Sequence, residues 1–325
     1  MYMTNCLMKQ LPSLATLSLF LSISIASAQD GEVVSKTVFK DMGSDELAQL
    51  GIGIPDGYRE KMDGIQMAEL VYLSDGLKVK AYLAEPKQKG SYPCIIYNRS
   101  GSRQLGAHTR QFAQRILGEM ASWGYVVVES QLRGTDGGEG SEEFGGKDIN
   151  DIKNLVPLLA SLPNADTSRI GMYGRSRGGM MTFICLKEMA NIKAAVVLGA
   201  PTDLFEVIEM RPGFDELFAE MIPNYSKNRK TALADRSMAY WPEKMAKSMP
   251  ILWMQGAKDD RIPTASVLKA VKKLHEAGHP FRFVYFENAG HAINEFREET
   301  ELYTRNWFDR HLKNQPDRHA NKTTK

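Results

Sequence analysis

Apolar positions along the chain follow two alternating periods. Residues 67–74 and 77–84 tend to place apolar side chains at alternate positions on either side of Asp75-Gly76, the pattern of two strands joined by a tight hairpin turn. From there, short apolar runs trade places with stretches of helical spacing. Cys94-Ile95-Ile96-Tyr97 is followed by a predicted helix over 110–123, and Tyr125-Val126-Val127-Val128 by one over 149–162. In the second helix Ile152, Leu155, Leu159 and Leu162 share a face, an apolar stripe that needs a sheet to lie on. Further strands are predicted at 169–173, 194–198, 250–255 and 281–286. Strands separated by helices cannot pair as hairpins. The expected architecture is therefore α/β, a mostly parallel sheet with helices on both faces and a functional site at the strands' carboxyl ends. The alternation lapses over 200–249, where no strand is expected. An insertion there, carrying Phe214, Tyr225, Tyr240 and Trp241, would overhang the strand ends as a helical cap; the alternative is a pair of helices packed on the sheet edge.

The flanks of this body read differently. Residues 1–28 have the pattern of a secretory signal: Lys9, an apolar stretch from Leu11 to Ile25, then Ala26-Ser27-Ala28 as a small-residue cleavage site. The stretch is short and serine-rich for a membrane span, and an uncleaved anchor is the alternative reading. The expectation is an exported protein, periplasmic or secreted, that begins at Gln29 and has no membrane attachment after cleavage. Residues 29–65 then form an N-terminal extension, 66–313 one large domain, and 314–325 a polar tail expected to be disordered. The 41 basic and 39 acidic side chains nearly balance, and no basic block stands out, which argues against nucleic acid as a partner. Cys94 and Cys185 fall in different core elements and are expected to be buried singly. No His/Cys cluster has metal-ligand spacing and no phosphate-cradling glycine loop precedes a helix, so neither a metal nor a cofactor is expected.

Candidate chemistry concentrates at Gly174-Arg175-Ser176-Arg177-Gly178, between the strand at 169–173 and a helix opened by Met180-Met181-Thr182-Phe183-Ile184. Glycines on both sides of a serine permit a turn tight enough to hold the hydroxyl clear of the sheet. Two further strands end in suitable partners. The strand at 250–255 runs into Gly256-Ala257-Lys258-Asp259-Asp260-Arg261-Ile262-Pro263, and the strand at 281–286 into Glu287-Asn288-Ala289-Gly290-His291. Serine, acid and histidine thus occur in the order that this turn demands. Asp259 is the expected acid, ahead of the Ile-Pro that begins the next helix, with Asp260 as the alternative. The other histidines have structural readings: His275 in a helix, His279 in a turn, His311 in the last helix, His319 in the tail, and His108 at a helix start, capping it or facing solvent.

Ser176 needs a base to take its proton as it attacks, and His291 is the well-placed candidate, its tautomer fixed by Asp259. The backbone N–H of Arg177 is the first expected donor to an oxyanion, and a second is expected from the Asn98–Gly101 loop. Arg99, Arg103, Arg133, Arg175 and Arg177 all fall near strand ends that border the site. Several arginines together suggest a negatively charged group on the substrate, with Arg103, Arg133 and Arg175 as substrate-binding candidates.

The segments Tyr97-Asn98-Arg99-Ser100-Gly101, Leu132-Arg133-Gly134-Thr135-Asp136-Gly137-Gly138 and Asp166-Thr167-Ser168-Arg169-Ile170-Gly171, with the Ser176 turn, the Asp259 loop and Ala289-Gly290-His291, together resemble the catalytic domain of the prolyl oligopeptidase family of serine peptidases, within the α/β-hydrolase superfamily. The resemblance runs from about Met67 to Leu312. It implies an α/β-hydrolase fold and a serine hydrolase acting on peptides, which the pattern of residues 1–28 makes an exported one. In that family a tyrosine hydroxyl supplies the second oxyanion donor. Register places Arg99 there, so the donor is either its guanidinium or a backbone N–H of Arg99 or Ser100. Two departures bear on the substrate: Arg177 stands where family peptidases carry tyrosine or asparagine, and there is no room ahead of the domain for their β-propeller. Over the serine turn alone the chain is similar to glucuronoyl esterases, which place arginine after the serine. A carboxylic esterase acting on carbohydrate or uronate esters is therefore the alternative to a peptidase. A catalytically silent binding protein is the third reading, disfavoured because serine, acid and histidine are all present.

Overall fold

The computed structural model describes residues 29–40 and 57–316; the expected signal segment and residues 317–325 of the expected disordered tail lie outside the described residues. The described strands are β1 (Val33–Phe39), β2 (Ile65–Ser74), β3 (Leu77–Pro86), β4 (Tyr92–Asn98), β5 (Val126–Ser130), β6 (Ala165–Arg175), β7 (Ile192–Leu198), β8 (Ile251–Gly256) and β9 (Phe281–Phe286). They form one sheet in the order β1-β2-β3-β5-β4-β6-β7-β8-β9. The β1/β2, β2/β3 and β3/β5 pairings are antiparallel, and every pairing from β5 to β9 is parallel. The hairpin expected at Asp75-Gly76 closes β2 onto β3 with Ser74 opposite Leu77. Both turn residues have positive φ (53° and 75°), as a two-residue turn matched to the strand twist requires.

Chain order and sheet order part at β4. The chain leaves it toward β5 on one side, then crosses back to lay β6 on the other. The connections on the two sides diverge there, and a crevice opens at the carboxyl ends of β4 and β6, the place where open α/β sheets hold ligands.

Alternation along the parallel strands builds two apolar layers. Ile96, Met172 and Val197 point to one face, where the helix Arg177–Glu188 packs through Met180, Phe183 and Ile184. Ile95, Tyr173 and Val196 point to the other, against the helical stretch 110–122 and the last helix, Arg297–Lys313, with Trp307 and Phe308. Fully burying a side chain of this size stabilises the fold by about 1.5–3 kcal/mol, so both faces are covered.

We label the helices α1 (Tyr58–Asp63), α2 (Arg110–Ala113, a π turn Gln114–Gly118, then Glu119–Ser122), α3 (Ile149–Lys153), α4 (Leu155–Ala160), α5 (Arg177–Glu188), α6 (Leu204–Met210), α7 (Gly213–Met221), α8 (Tyr225–Asp235), α9 (Thr264–Glu276) and α10 (Arg297–Lys313). The segment 200–249 contains no strand and carries α6, α7 and α8. Three local expectations are corrected. The helix expected over 149–162 is broken at Asn154, because Pro157 has no N–H to give to the preceding turn; the Asn154 side chain donates through Nδ2 to Ser74 Oγ at 3.0 Å. Helix α5 begins at Arg177, directly after the serine, rather than near Met180. Strand β1 was not expected. It is an edge strand whose inner five residues are all exposed, so no alternation marks it. Cys94 and Cys185 are buried and unbonded to each other, and burial pushes the Cys94 thiol up to about 12.

Gly178 locks α5 to the end of β4. A Cβ there would lie inside the van der Waals shell of the Asn98 and Arg99 carbonyl oxygens, which are backbone and cannot rotate away. Gly178→Ala is expected to lower stability by about 3 kcal/mol, at the upper end for overpacking. Gly64→Ala, where nothing lies within 4 Å, should change it by less than about 0.5 kcal/mol. Urea midpoints of the two variants check this, and equal midpoints would show that the close approach is not needed.

Candidate active site

Ser176 sits between the last residue of β6 and the first of α5, with φ 51° and ψ −124°. That conformation is strained for a residue with a side chain, and it turns the chain within a single residue. It persists because the turn is held from both sides. The Ser176 N–H donates to the Leu198 carbonyl at the end of β7 (2.8 Å), while the Ser176 carbonyl accepts from Gly179 and Met180 (2.8 and 3.2 Å). Arg177, at the first position of the helix, has an N–H with no intrahelical acceptor.

Asp259 follows β8 and His291 follows β9. His291 Nδ1 lies 3.0 and 2.9 Å from the two Asp259 carboxylate oxygens. The carboxylate also accepts from the N–H groups of Arg261 and Ile262 (both 2.9 Å) and from Gln255 Nε2 (2.9 Å). Burial opposes its charge, but the His291 hydrogen bond and charge and the two backbone donors outweigh burial and hold the carboxyl below the ordinary aspartate value. Asp260 is exposed and takes no part. The imidazole lies over Gly199, where an added Cβ would come within 3.3 Å of Cε1 and 3.0 Å of the His291 carbonyl. His291 and Ser176 both line one cavity of about 570 Å³, with Ser100 and Gly101 from the β4 loop and side chains of α6 and α7.

Behind the loops lies a buried cage of opposite charges. Arg177 reaches to Glu142 and to Asp148 (2.5 Å), and donates to the Gly101 carbonyl at 3.0 Å. Its guanidinium lies 4.7 Å from the centre of the Phe144 ring. Arg99 donates to Glu142, to the Gln131 carbonyl (2.8 and 3.0 Å) and to Thr135 Oγ1 (3.2 Å). Glu142 also accepts from Thr135 Oγ1 (2.7 Å) and from the Arg103 backbone N–H (3.1 Å). Burial would raise the Glu142 pKa, but Arg177 and Arg99 outweigh it and hold the carboxyl below the usual glutamate range.

The arginines expected to border the site divide accordingly. Arg177 lines the cavity, but its two terminal nitrogens are turned to two protein carboxylates and a carbonyl, so its charge is already neutralised within the protein. The Arg99 guanidinium is not an oxyanion donor either: its side chain is fully buried in the cage, which leaves the backbone of Ser100 at the cavity wall. Arg103 is exposed and paired with Glu220 (2.8 Å), outside the cavity lining. Arg133 is buried on Asp151 and Asp75 (2.7 and 2.8 Å), likewise away from it. Arg175 does line the cavity and donates to the Ala292 carbonyl at 3.0 Å, tying down the loop that carries His291. His108 is neither a cap nor solvent-facing. Its ring packs on Phe112, centroids 3.9 Å apart, and Nδ1 meets the buried Glu129 at 2.6 Å, because the segment before α2 turns inward at the cavity. Glu142 and Asp148 escaped sequence reasoning. The available signal was a glycine-rich loop holding acids next to an excess of strand-end arginines that need counter-charges.

Comparison with known proteins places this geometry in a lineage. The model of the prolyl oligopeptidase family matches residues 111–315. The uncharacterized peptidase YtmA of Bacillus subtilis is 30% identical over 228 residues, covering 70% of this chain and 86% of that protein. The uncharacterized peptidase YuxL of the same organism is 29% identical over 261 residues, but the chain spans only 38% of its length. Among solved structures, an acylaminoacyl peptidase superposes with TM-score 0.65 at 23% identity, covering 77% of this chain and 42% of that one. An acetyl xylan esterase from Paenibacillus sp. R4 superposes with TM-score 0.62 at 17% identity, covering 83% and 87%. The structural likenesses carry the α/β-hydrolase fold, and the family match with the YtmA relationship carries descent: the chain belongs to the prolyl oligopeptidase family of serine hydrolases.

Proposed function

We propose that the protein is an acyl-transfer hydrolase in which Ser176 is the nucleophile, His291 the general base and Asp259 the residue that orients it, with peptide bonds as the first substrate class. The observation that carries this reading is the His291 ring held on both oxygens of an ionised, buried Asp259 while sharing a cavity with the strained Ser176. With Nδ1–H donating to Asp259, the neutral ring keeps its lone pair on Nε2 for the serine proton. Ser176 Oγ attacks the carbonyl carbon as its proton passes to Nε2. The oxyanion takes hydrogen bonds from the backbone N–H groups of Arg177 and Ser100. Collapse breaks the bond to the leaving group, which departs with the proton from His291. Water then attacks the acyl-serine, giving its proton to His291, and release of the carboxylic acid restores Ser176.

Peptides stand first because the relatives bear peptidase names. The alternative, a carboxylic esterase acting on carbohydrate or uronate esters, is favoured by two of the arginines in the cavity wall, Arg211 and Arg261. A panel of aminoacyl nitroanilides, acetyl esters and glucuronoyl esters separates the two. Export belongs to the same reading on the pattern of residues 1–28.

Ser176→Ala, His291→Ala and Asp259→Ala should each cost on the order of 10⁴-fold in turnover of whichever substrate the panel identifies, and Ser176→Ala should abolish labelling by a fluorophosphonate probe. Asp260→Ala should stay within about twofold of wild type, since its side chain is solvated. An Asp260 variant as damaged as the Asp259 variant would refute the assignment of the acid. Mass spectrometry of protein recovered from the producing cell should give Gln29 as the first residue, and a chain that keeps residues 1–28 would refute export by cleavage.

A further inference from the structure

The cavity that holds Ser176 and His291 is charged in one sense only. Its buried apolar wall comes from Phe144 and from the cap, through Leu204, Val207 and Phe218. Its cations include Arg211, just past α6, and Arg261, in the loop that carries Asp259. Among the described residues, no aspartate or glutamate lines it. The cap does not lack acids, and four of them are engaged elsewhere. Asp203 accepts from the Phe205 N–H and the Tyr240 hydroxyl, Glu206 pairs with Lys269, Asp215 binds Tyr225 and Arg229, and Glu220 pairs with Arg103. None of these partners lines the cavity.

The two arginines differ in kind from the buried ones. Arg177 and Arg99 have carboxylate partners, whereas no ion pair is recorded for Arg211 or Arg261 among the described residues. Arg211 is partly buried, its guanidinium 4.4 Å from the centre of the Phe214 ring, which presents a planar fork beside the apolar wall. Arg261 is exposed, and its backbone N–H is fixed on Asp259 Oδ1 at 2.9 Å. A guanidinium stacked on a ring keeps its edge donors free for a planar anion. A substrate ammonium entering here would meet like charge and find no carboxylate.

We propose that Arg211 and Arg261 are specificity determinants that select substrates carrying a carboxylate, or another planar anion, near the scissile bond, and that the site rejects substrates presenting a free ammonium there. This rests on the acyl-transfer reading of the Ser176 site. It moves the anion-binding role that the sequence suggested for the strand-end arginines to two cavity residues that have no carboxylate partner among the described residues.

The test uses the full-length enzyme and sets of near-isosteric esters. On the acyl side, 4-methylumbelliferyl hemisuccinate, butyrate and β-alanyl ester carry a negative, neutral and positive end; on the leaving-group side, 4-acetoxybenzoate is set against its methyl ester. In at least one set, kcat/KM for the anion should exceed the neutral ester by about tenfold or more, the size of one charge-assisted contact. The β-alanyl ester should be the poorest of the acyl set. Arg211→Ala combined with Arg261→Ala should bring the anion-to-neutral ratio close to one, and the paired lysine variant should keep part of the preference. Added salt should shrink the ratio. Neutral or cationic substrates preferred in both sets, or a ratio unmoved by the double alanine variant, would overturn the proposal. Failure of the underlying reading has a different signature: Ser176→Ala would still turn over the esters, or wild type would resist the fluorophosphonate.

Discussion

The fold around Ser176 depends on one buried exchange of charge. Arg177 stands directly after the serine, Arg99 directly after β4, and both send their guanidinium groups into the protein to meet Glu142. Asp148 completes the neutralisation of Arg177. All four side chains are at most 4% exposed, so each charge has lost its water and must find its partners in the others. Such a cage is not a source of large net stability, because the cost of desolvating four charges offsets most of the attraction. Its effect is on position. Removing one member would leave the remainder unpaired at a cost of about 3–5 kcal/mol, so the loops that carry them have one favourable arrangement.

That arrangement joins the two backbone segments that would receive an oxyanion. Through Arg177 and the Gly101 carbonyl, the start of α5 is tied to the loop after β4; through the Arg103 N–H, Glu142 holds the far side of the same loop. Gly178 brings the helix against the Asn98 and Arg99 carbonyls with no side chain between them. The histidine side is fixed separately, by the backbone donors on Asp259 and by Arg175 on the Ala292 carbonyl. Two independent supports therefore converge on one cavity, and the cap supplies its apolar wall and part of its charge.

The sequence made legible what local physics decides. The hairpin at Asp75-Gly76, the apolar strands and the helical stripes follow from periodicity, and the glycine spacing around Ser176 follows from the space that its turn allows. The order of Ser176, Asp259 and His291 could be read because each lies directly beyond an apolar strand. What depends on partners distant in the chain could not be read. Arginines at strand ends looked available to a substrate, yet whether Arg177 faces inward is settled by Glu142 and Asp148 on a loop with no periodicity of its own. His108 looked solvent-facing because the buried Glu129 that it meets belongs to β5. Strand β1 was silent because a polar edge strand has no buried face to print an alternation.

The central claim is that the cage holds in place the backbone that is proposed to receive the oxyanion at Ser176. Glu142→Gln tests it most directly, since the amide keeps the volume and removes the charge that both arginines need. The measurement is the second-order rate of fluorophosphonate reaction at Ser176, taken where circular dichroism shows wild type and variant equally folded. The account predicts a rate at least about tenfold lower in the variant, part of the roughly 10²–10³-fold that losing an oxyanion donor outright costs. A rate equal to wild type in a fully folded Glu142→Gln protein would contradict it.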